Sequence, residues 1–390
     1  MSESARRRIF IGIMSGTSLD GIDVVAVRFS DHVEVVGSHS SPFPEGLSEI
    51  LYELATAEAV NMDLLVRTNF ALSEAYAVSV RSLLTHLDLA PKTITAIGLH
   101  GQTVRHLPRP TQVVSDLAPV RATLQLGSGP ALAALTGIDV VHDFRSADMA
   151  AGGEGAPFIP MFDAAFFSSP DVDRITLNIG GIANLTWLPK SQINKEIIAF
   201  DTGPGNMLID ALMKEYFDRP FDSSGEVARS GSVDEVLLEE LLRHPYFSTP
   251  PPKSTGRELF GSIFLKRFQE TIETGKLLAT DAITTATLLT ARSIARAKKW
   301  LPTSKQFELI ASGGGALNTF LLDSLAHSLS CVATTSASLG IPVQEKEAIA
   351  FAYFAKAFLD DELIHLPATT GAAKRVMLGS LSKGSPRASR

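Results

Sequence analysis

Gly12-Ile13-Met14-Ser15-Gly16-Thr17-Ser18-Leu19-Asp20-Gly21-Ile22-Asp23 closes one apolar run and opens the next through glycines and hydroxyls. Ile9 to Met14 leads into it, Ile22 to Phe29 leaves it, and His32 to His39 follows. Each run is bounded by Gly, Ser or Asp, so the pattern predicts a three-strand meander. A second turn of this form, Asn178-Ile179-Gly180-Gly181-Ile182-Ala183-Asn184, breaks the run from Arg174 to Leu188. Gly16 and Gly180 are far apart in the chain yet both join strands, which suggests two similar halves even though identity between them is negligible.

Around these turns the periodicity changes. From Glu45 to Leu87 apolar residues recur at three and four (Leu47, Ile50, Leu51, Leu54), predicting helix with breaks. Ile94 to Leu99 and Ile138 to Phe144 read as short buried strands with polar ends, and Phe307 to Ile310 as another. Helices are expected over Pro204 to Phe217, Val233 to His244, Asp281 to Trp300, Asn318 to Leu329 and Glu345 to Leu359. Strands followed by helices, twice over, predict a two-lobed α/β protein with a mixed sheet in each lobe.

The composition agrees. At 390 residues the chain is long enough for two or three domains, and 45% hydrophobic against 20% charged is an ordinary globular balance. A net charge of −7, with no basic stripe, argues against a nucleic-acid partner. Cys331 is the single cysteine, so neither an internal disulfide nor a thiolate zinc site is available, as suits a reducing compartment such as the cytoplasm. Arg6 to Arg8 before Ile9 to Met14 imitates a signal peptide, but the apolar run stops at Ser15-Gly16. No run reaches the length that spans a bilayer, so no membrane is expected. Residues from Leu381 onward read as a loose tail.

Four turns carry chemistry. In the first, Ser15 to Ile22 could cradle a phosphate on backbone N–H groups, with Asp20 and Asp23 able to hold magnesium; a tight hairpin is the plainer alternative. Gly180 and Gly181 form the second. The third, Gly313-Gly314-Gly315 leading to Asn318, precedes a helix and would let a ring or ribose lie on the backbone. In the fourth, Phe200-Asp201-Thr202-Gly203-Pro204-Gly205-Asn206, Pro204 is expected at the first helical position. That would place Asp201 beside a helix N-terminus as either an ionised base or a cap. Polar groups at strand ends complete the set: His100, Gln102 and Thr103, then Asp143, Arg145 and Asp148, then Glu154. Arg145 between two aspartates could equally be a structural ion-pair network. Lys253-Ser254-Thr255-Gly256-Arg257-Glu258 could touch an anion or start a helix, and Glu347 is a first-turn glutamate.

Gly12 to Asp23, Leu99 to Thr103, Asp143 to Pro157, Leu177 to Leu185, Phe200 to Asn206 and Pro252 to Glu258 together resemble the anhydro-N-acetylmuramic acid kinases, in order along nearly the whole chain. The resemblance implies two lobes of related ribonuclease-H-like (actin and sugar kinase) fold with mixed sheets and a nucleotide in the interlobe cleft. The first lobe is set at 1–140 with about 365–385, the second at 141–364, and the tail at 386–390. It implies an ATP-dependent kinase that opens the 1,6-anhydro bond of 1,6-anhydro-N-acetylmuramic acid with water and phosphorylates O6, in recycling of cell-wall fragments. Asp201 matches the general base. Ser15, Gly16, Thr17, Ser18, Leu19, Asp20, Gly21, Ile22, Gly180, Gly181, Asn184, Gly313, Gly314, Gly315 and Asn318 match the ATP-binding segments. His100, Gln102, Asp143, Arg145 and Glu347 match the sugar side. ATP and Mg2+ are the implied cofactors, with no metal ligands assigned, and a homodimer is the assembly considered. Two other readings stand beside this one: a kinase for a plain anhydrohexose such as levoglucosan, and a nucleotide-regulated binding protein without sugar chemistry.

Overall fold

The computed structural model describes residues 8–16, 19–190, 196–302 and 306–384. Thr17, Ser18 and the tail expected at 386–390 lie outside the described residues. The chain divides into two compact units, Met1–Phe162 with Glu345–Arg390, and Asp163–Gln344.

Unit one contributes β1 (Ile9–Met14), β2 (Ile22–Phe29), β3 (Val33–Ser41), β4 (Ile94–Leu99), the separate hairpin of β5 (Gln102–Thr111) and β6 (Val120–Leu126), and β7 (Val140–His142). β1 pairs antiparallel with β2 and parallel with β4, β2 antiparallel with β3, and β4 parallel with β7. The alternation along β1 sorts its faces. Ile9, Ile11 and Ile13 enter a core with Leu72, Tyr76, Val80 and Leu83 of the helix Met62–His86, which Asn61 caps by accepting from Leu64 N–H at 3.1 Å. Gly12 and its register partner Gly98 lie on the other face, against the helix Lys346–Leu359. A Cβ on Gly12 would fall 1.7 Å from the carbonyl oxygen of Ala348, and one on Gly98 1.9 Å from that of Phe351. The helix backbone therefore rests directly on the sheet, and only glycine allows that approach.

The compact units part after Phe162 and after Gln344, where the sequence expectation set 140 and 364. The helix Lys346–Leu359, assigned from sequence to the second lobe, belongs to unit one because its buried face, with Phe351 and Phe354, packs on β1, β2 and β4. Leu381, where the tail is expected to start, lies in a strand. Ser380–Ser382 pairs antiparallel with β7, and Asp139 holds Gly384 N–H at 2.9 Å.

Unit two repeats the plan with β8 (Asp173–Ile179), β9 (Ile182–Leu188), β10 (Ile198–Pro204), β11 (Phe307–Ser312) and β12 (Val332–Thr335). β8 pairs antiparallel with β9 and parallel with β11, β9 antiparallel with β10, and β11 parallel with β12. Numbered within each unit, the unit-two sheet runs 3-2-1-4-5 with only its second strand reversed, and the unit-one sheet has the same five-strand order, β3-β2-β1-β4-β7, with Ser380–Ser382 added antiparallel at the β7 edge; both share the mixed order of a ribonuclease-H-like fold. The repeat suggested by the two glycine turns is thus a repeat of topology. Helices Ala279–Ala297 and Thr319–Leu329 cover this sheet, and their Ile294, Leu321 and Leu325 meet Ile175, Leu177 and Leu309. Threonines crowd the first of these helices, yet their hydroxyls stay bonded: Thr287 donates to the Ile283 carbonyl at 2.8 Å and Thr290 to that of Gly205 at 2.7 Å.

Candidate active site

A row of polar residues crosses four neighbouring strands of unit two. Ser312 on β11 is the register partner of Asn178 on β8, Asn178 that of Asn184 on β9, and Asn184 that of Asp201 on β10. The row lies at the carboxyl ends of β8 and β11, where open α/β sheets receive ligands. Asp201 is not beside a helix N-terminus as expected. β10 continues through Pro204, which pairs with Ile182, and the helix Met207–Phe217 begins only after Asn206. Carbonyls of Gly181 and Gly180 take the N–H groups of Gly205 and Asn206, each at 2.8 Å, so the chain stays bound to the turn past Pro204. Proline is tolerated there because a strand end asks no N–H of it.

Four neighbours hold Asp201 instead. The Asn184 amide donates to Oδ1, and the Thr255 N–H donates to Oδ2 at 2.9 Å. On its backbone, the Asp201 N–H reaches the Lys253 carbonyl at 3.3 Å and the carbonyl accepts the Tyr246 hydroxyl at 2.8 Å. Two N–H donors on one carboxyl group suit its anionic form, the form a base needs. Lys253 Nζ donates to the Tyr246 carbonyl at 2.9 Å and sits 4.3 Å over that residue's ring. Burial, reinforced by Lys299 and opposed by Asp201, brings the Lys253 ammonium down to about 8. Burial and then Asp201 push the Tyr246 phenol up. In the 253–258 stretch, read as an anion contact or a helix start, a helix begins at Arg257, and Thr255 before it fastens Asp201. Tyr246 escapes sequence reasoning, since no local pattern marks a tyrosine whose partner is the backbone carbonyl of a residue on a distant strand.

The glycines of unit two differ in what they are for. A Cβ on Gly180 or Gly181 would meet nothing nearer than 3.8 Å, and one on Gly314 only the Asn206 amide at 3.7 Å. Among the described residues no neighbour excludes a side chain there, so packing does not account for these glycines. Gly315 is different, because its Cβ would collide with Ile179 at 2.4 Å, and Gly313 has φ +78°. Asn318 caps the helix Thr319–Leu329 by accepting from Leu321 N–H at 2.9 Å. The structure thus gathers Gly180, Gly181, Gly314, Asn184 and Asp201 around the polar row, while Gly313, Gly315 and Asn318 shape the loop and the helix.

In unit one the first turn is braced from below. Ser15, buried, shares a 2.6 Å hydrogen bond with the Tyr76 hydroxyl, Gln102 Nε2 donates to the Gly16 carbonyl at 3.1 Å, and Leu19 N–H closes the turn onto Gly16 at 3.2 Å. Gly21 packs on the Ser41 carbonyl and the Ile22 side chain enters the core. Asp20 is exposed. Asp23 accepts the Ser40 hydroxyl at 2.6 Å; burial raises its pKa, Ser40 opposes, and the charges of Asp20 and Glu345 add to the rise.

Arg145 joins the polar strand ends. It donates to the Gly155 carbonyl at 2.6 Å and to His100 Nε2 at 2.7 Å. A guanidinium only donates, so His100 accepts on Nε2 and carries its proton on Nδ1. Burial and then the Arg145 charge bring His100 down to about 3, keeping it neutral. Burial also lowers Arg145, to about 10, against the pull of Glu347 and Asp148. Asp143 is exposed and accepts the Ser146 hydroxyl at 2.6 Å, so Arg145 spends its hydrogen bonds on neutral groups rather than on a network with the aspartates.

Among the described residues no group of three or more His, Cys, Asp or Glu is arranged to hold a metal, and no helix is long and apolar enough to cross a membrane. Against known proteins, residues 8–384 match the model of the anhydro-N-acetylmuramic acid kinase family. The chain is 43% identical to an anhydro-N-acetylmuramic acid kinase of Shewanella sediminis, over 95% of this chain and 98% of that one. It is 40% identical to one of Salinibacter ruber, over 97% of each. Among solved structures it is similar, at 10% identity and a TM-score of 0.47, to the activator of the 2-hydroxyisocaproyl-CoA dehydratase from Clostridium difficile, covering 90% of this chain and 96% of that one. With a family match over nearly its whole length and these two relatives aligned end to end, the chain belongs to the anhydro-N-acetylmuramic acid kinase family.

Proposed function

We propose that this sugar kinase uses ATP to open the 1,6-anhydro bridge of 1,6-anhydro-N-acetylmuramic acid and to phosphorylate O6, releasing N-acetylmuramic acid 6-phosphate. The observation that carries the mechanism is Asp201, whose carboxylate is held on β10 by Asn184 and the Thr255 N–H. The sugar has no free 6-hydroxyl, because O6 is bonded to C1. Asp201 takes a proton from water as the water oxygen attacks C1, and the C1–O6 bond breaks with its electron pair going to O6. O6 then attacks the γ-phosphorus, ADP leaves, and Asp201 returns its proton to solvent.

The open glycines Gly180, Gly181 and Gly314 offer N–H groups to the ATP phosphates. Asp23, raised by burial and facing the charges of Asp20 and Glu345, sits where a cation is welcome. Magnesium normally takes only one or two carboxylates beside phosphate oxygens, so Asp20 and Asp23 would suffice to hold Mg2+, which supplies charge neutralisation to the phosphates. His100, Gln102 and Arg145 offer donors to the sugar hydroxyls. The enzyme works in the cytoplasm, where ATP is at hand; the reading calls for neither nucleic acid nor membrane, and a homodimer is compatible with it.

The test is one turnover series with ATP and 1,6-anhydro-N-acetylmuramic acid in 18O-labelled water, read at early times. The expected result is ADP and 6-phosphorylated sugar in equal amounts, with label on C1 and none in the phosphate. Label in phosphate, or ADP without phosphorylated sugar, would overturn the reading, and a clear preference in kcat/KM for levoglucosan would change the substrate.

A further inference from the structure

Behind Arg145 lies a buried cluster that the mechanism above does not use. Asp148, His365 and Thr370 are all at most 2% exposed, and Asp148 is far in the chain from the segment that carries the other two. Asp148 Oδ1 accepts both His365 Nε2–H and the Thr370 hydroxyl, each at 2.6 Å, while Oδ2 accepts Gly155 N–H at 2.7 Å. The Val376 N–H donates to His365 Nδ1 at 3.1 Å, which fixes the imidazole proton on Nε2, facing Asp148. Burial alone would raise the Asp148 carboxyl, but the three donors outweigh it and hold it below the usual carboxylate range. Asp148 Oδ1, Asp148 Oδ2 and His365 Nδ1 are each matched by a donor, so the arrangement is rigid.

That rigidity ends on a single residue, Gly155. Gly155 gives its N–H to Asp148 and its carbonyl to Arg145, and Arg145 passes its second nitrogen to His100. The backbone also ties the 151–154 loop to the C-terminal segment, through Glu154 N–H on the Thr370 carbonyl and Ala373 N–H on the Ala151 carbonyl, both at 2.8 Å. A Cβ at Gly153 would sit 2.2 Å from Asp148 Oδ2, so the loop wraps the carboxylate as closely as a backbone can. The guanidinium has no acidic hydrogen-bond partner among those described. It is held by the Gly155 carbonyl, by His100 and by the Phe158 ring, 5.5 Å below it, and Gly155 is in turn fastened through its N–H to Asp148.

We propose that Asp148, His365 and Thr370 are positioning residues for the sugar. Through Gly155 they set the direction of Arg145 and the tautomer of His100, which makes the 365–376 segment part of the substrate-recognition apparatus. This rests on the reading of Arg145 and His100 as sugar-side groups. A misplacement of about an ångström at such a group is enough to change turnover or binding by an order of magnitude or more.

The test measures KM for the anhydrosugar and for ATP, with kcat and melting temperature, on the full chain. His365→Leu removes the donor to Asp148 and His365→Gln restores one near the Nε2 position; Thr370→Val removes a hydroxyl at constant shape. Expected are a sugar KM raised about tenfold in His365→Leu and about threefold to fivefold in Thr370→Val, an ATP KM within about twofold of the parent, and recovery of the sugar KM in His365→Gln. A lower melting temperature with the sugar KM unchanged, or both KM values rising together, would reduce the cluster to a structural one and overturn the proposal. If His365→Leu fails to fold, Thr370→Val decides. Arg145→Lys separates the two levels. An unchanged sugar KM there removes Arg145 from the sugar side and the proposal with it, whereas a raised one beside a neutral Thr370→Val leaves Arg145 in place and overturns only the clamp.

Discussion

The two units share a strand order but not a use of it. Each has a hydrogen-bonded polar pair between its second and third strands, close to the carboxyl end of the first. In unit one the carboxylate is Asp23 on the second strand, bonded to Ser40 on the third; in unit two it is Asp201 on the third, bonded to Asn184 on the second. Asp23 faces other acids, a setting for a cation, while Asp201 is surrounded by donors, a setting for a base. The glycines diverge in the same way. Gly12 and Gly98 are filled by a helix backbone, whereas Gly180 and Gly181 face open space. One duplicated plan thus gives a unit whose glycines are filled by a helix and a unit whose turn glycines are left open.

The largest effect is expected where the pairs differ in chemistry. Asp201→Asn should lower kcat by at least about 100-fold while ATP binding and melting temperature stay near those of the parent. Ser40→Ala, at the corresponding third-strand position, should cost kcat less than about tenfold. Steady-state kinetics with ATP titrations check both, and residual Asp201→Asn turnover above about a hundredth would remove the general-base role.

Next come the glycines. Gly98→Ala drives a methyl into the Phe351 carbonyl, so the helix Lys346–Leu359 must lift and unit one should lose about 3 kcal/mol or more, or fail to fold. Gly181→Ala meets only Met207 at 3.8 Å and should melt like the parent, yet bind ATP at least about tenfold more weakly, as calorimetry would record. Equal stability losses in the two variants would erase the distinction.

A smaller effect should appear with pH. Burial raises Asp210, in the helix Met207–Phe217, to about 7. A carboxyl raised on folding contributes stability below its unfolded pKa near 4, and that contribution is lost as pH rises through about 7. Asp210→Asn should therefore raise the melting temperature by several degrees at pH 8 and leave it unchanged at pH 4, provided nothing else titrates differently; a constant offset across that range would contradict the assignment. Asp23→Asn should behave in the same direction in unit one.

The smallest effect is one in which the units should agree. Asn61 and Asp234 each cap a helix by accepting from the N–H three residues on, and alanine at either should cost about 1 kcal/mol in denaturant unfolding, with no change in KM.

Much of this is legible along the chain. Apolar runs bounded by glycine locate β1, β2, β4, β8 and β9, because strand period and turn chemistry are local properties. The glycine turns and Asp201 stand out for the same reason. Pro204 misleads because proline suits a helix start and a strand end alike; the Gly180 and Gly181 carbonyls, acting across the turn, decide for the strand. The helix Lys346–Leu359 cannot be assigned to a unit from its own residues, since it rests on Gly12 and Gly98, near the other end of the chain. Asp148 is visible as an acid near Arg145, but its function depends on His365 and Thr370, which no spacing rule connects to it.

By itself, then, the sequence determined an α/β chain of two halves, the turns able to meet phosphate, and the carboxylate able to act as a base. These follow from residue type and short-range periodicity. Tertiary structure alone decided which glycines are filled and which are open, that donors rather than a helix dipole hold Asp201, and that a buried Asp–His–Thr cluster stands behind Arg145. Those outcomes depend on hydrogen bonds and close contacts between segments distant in the chain, which exist only once the sheets have formed.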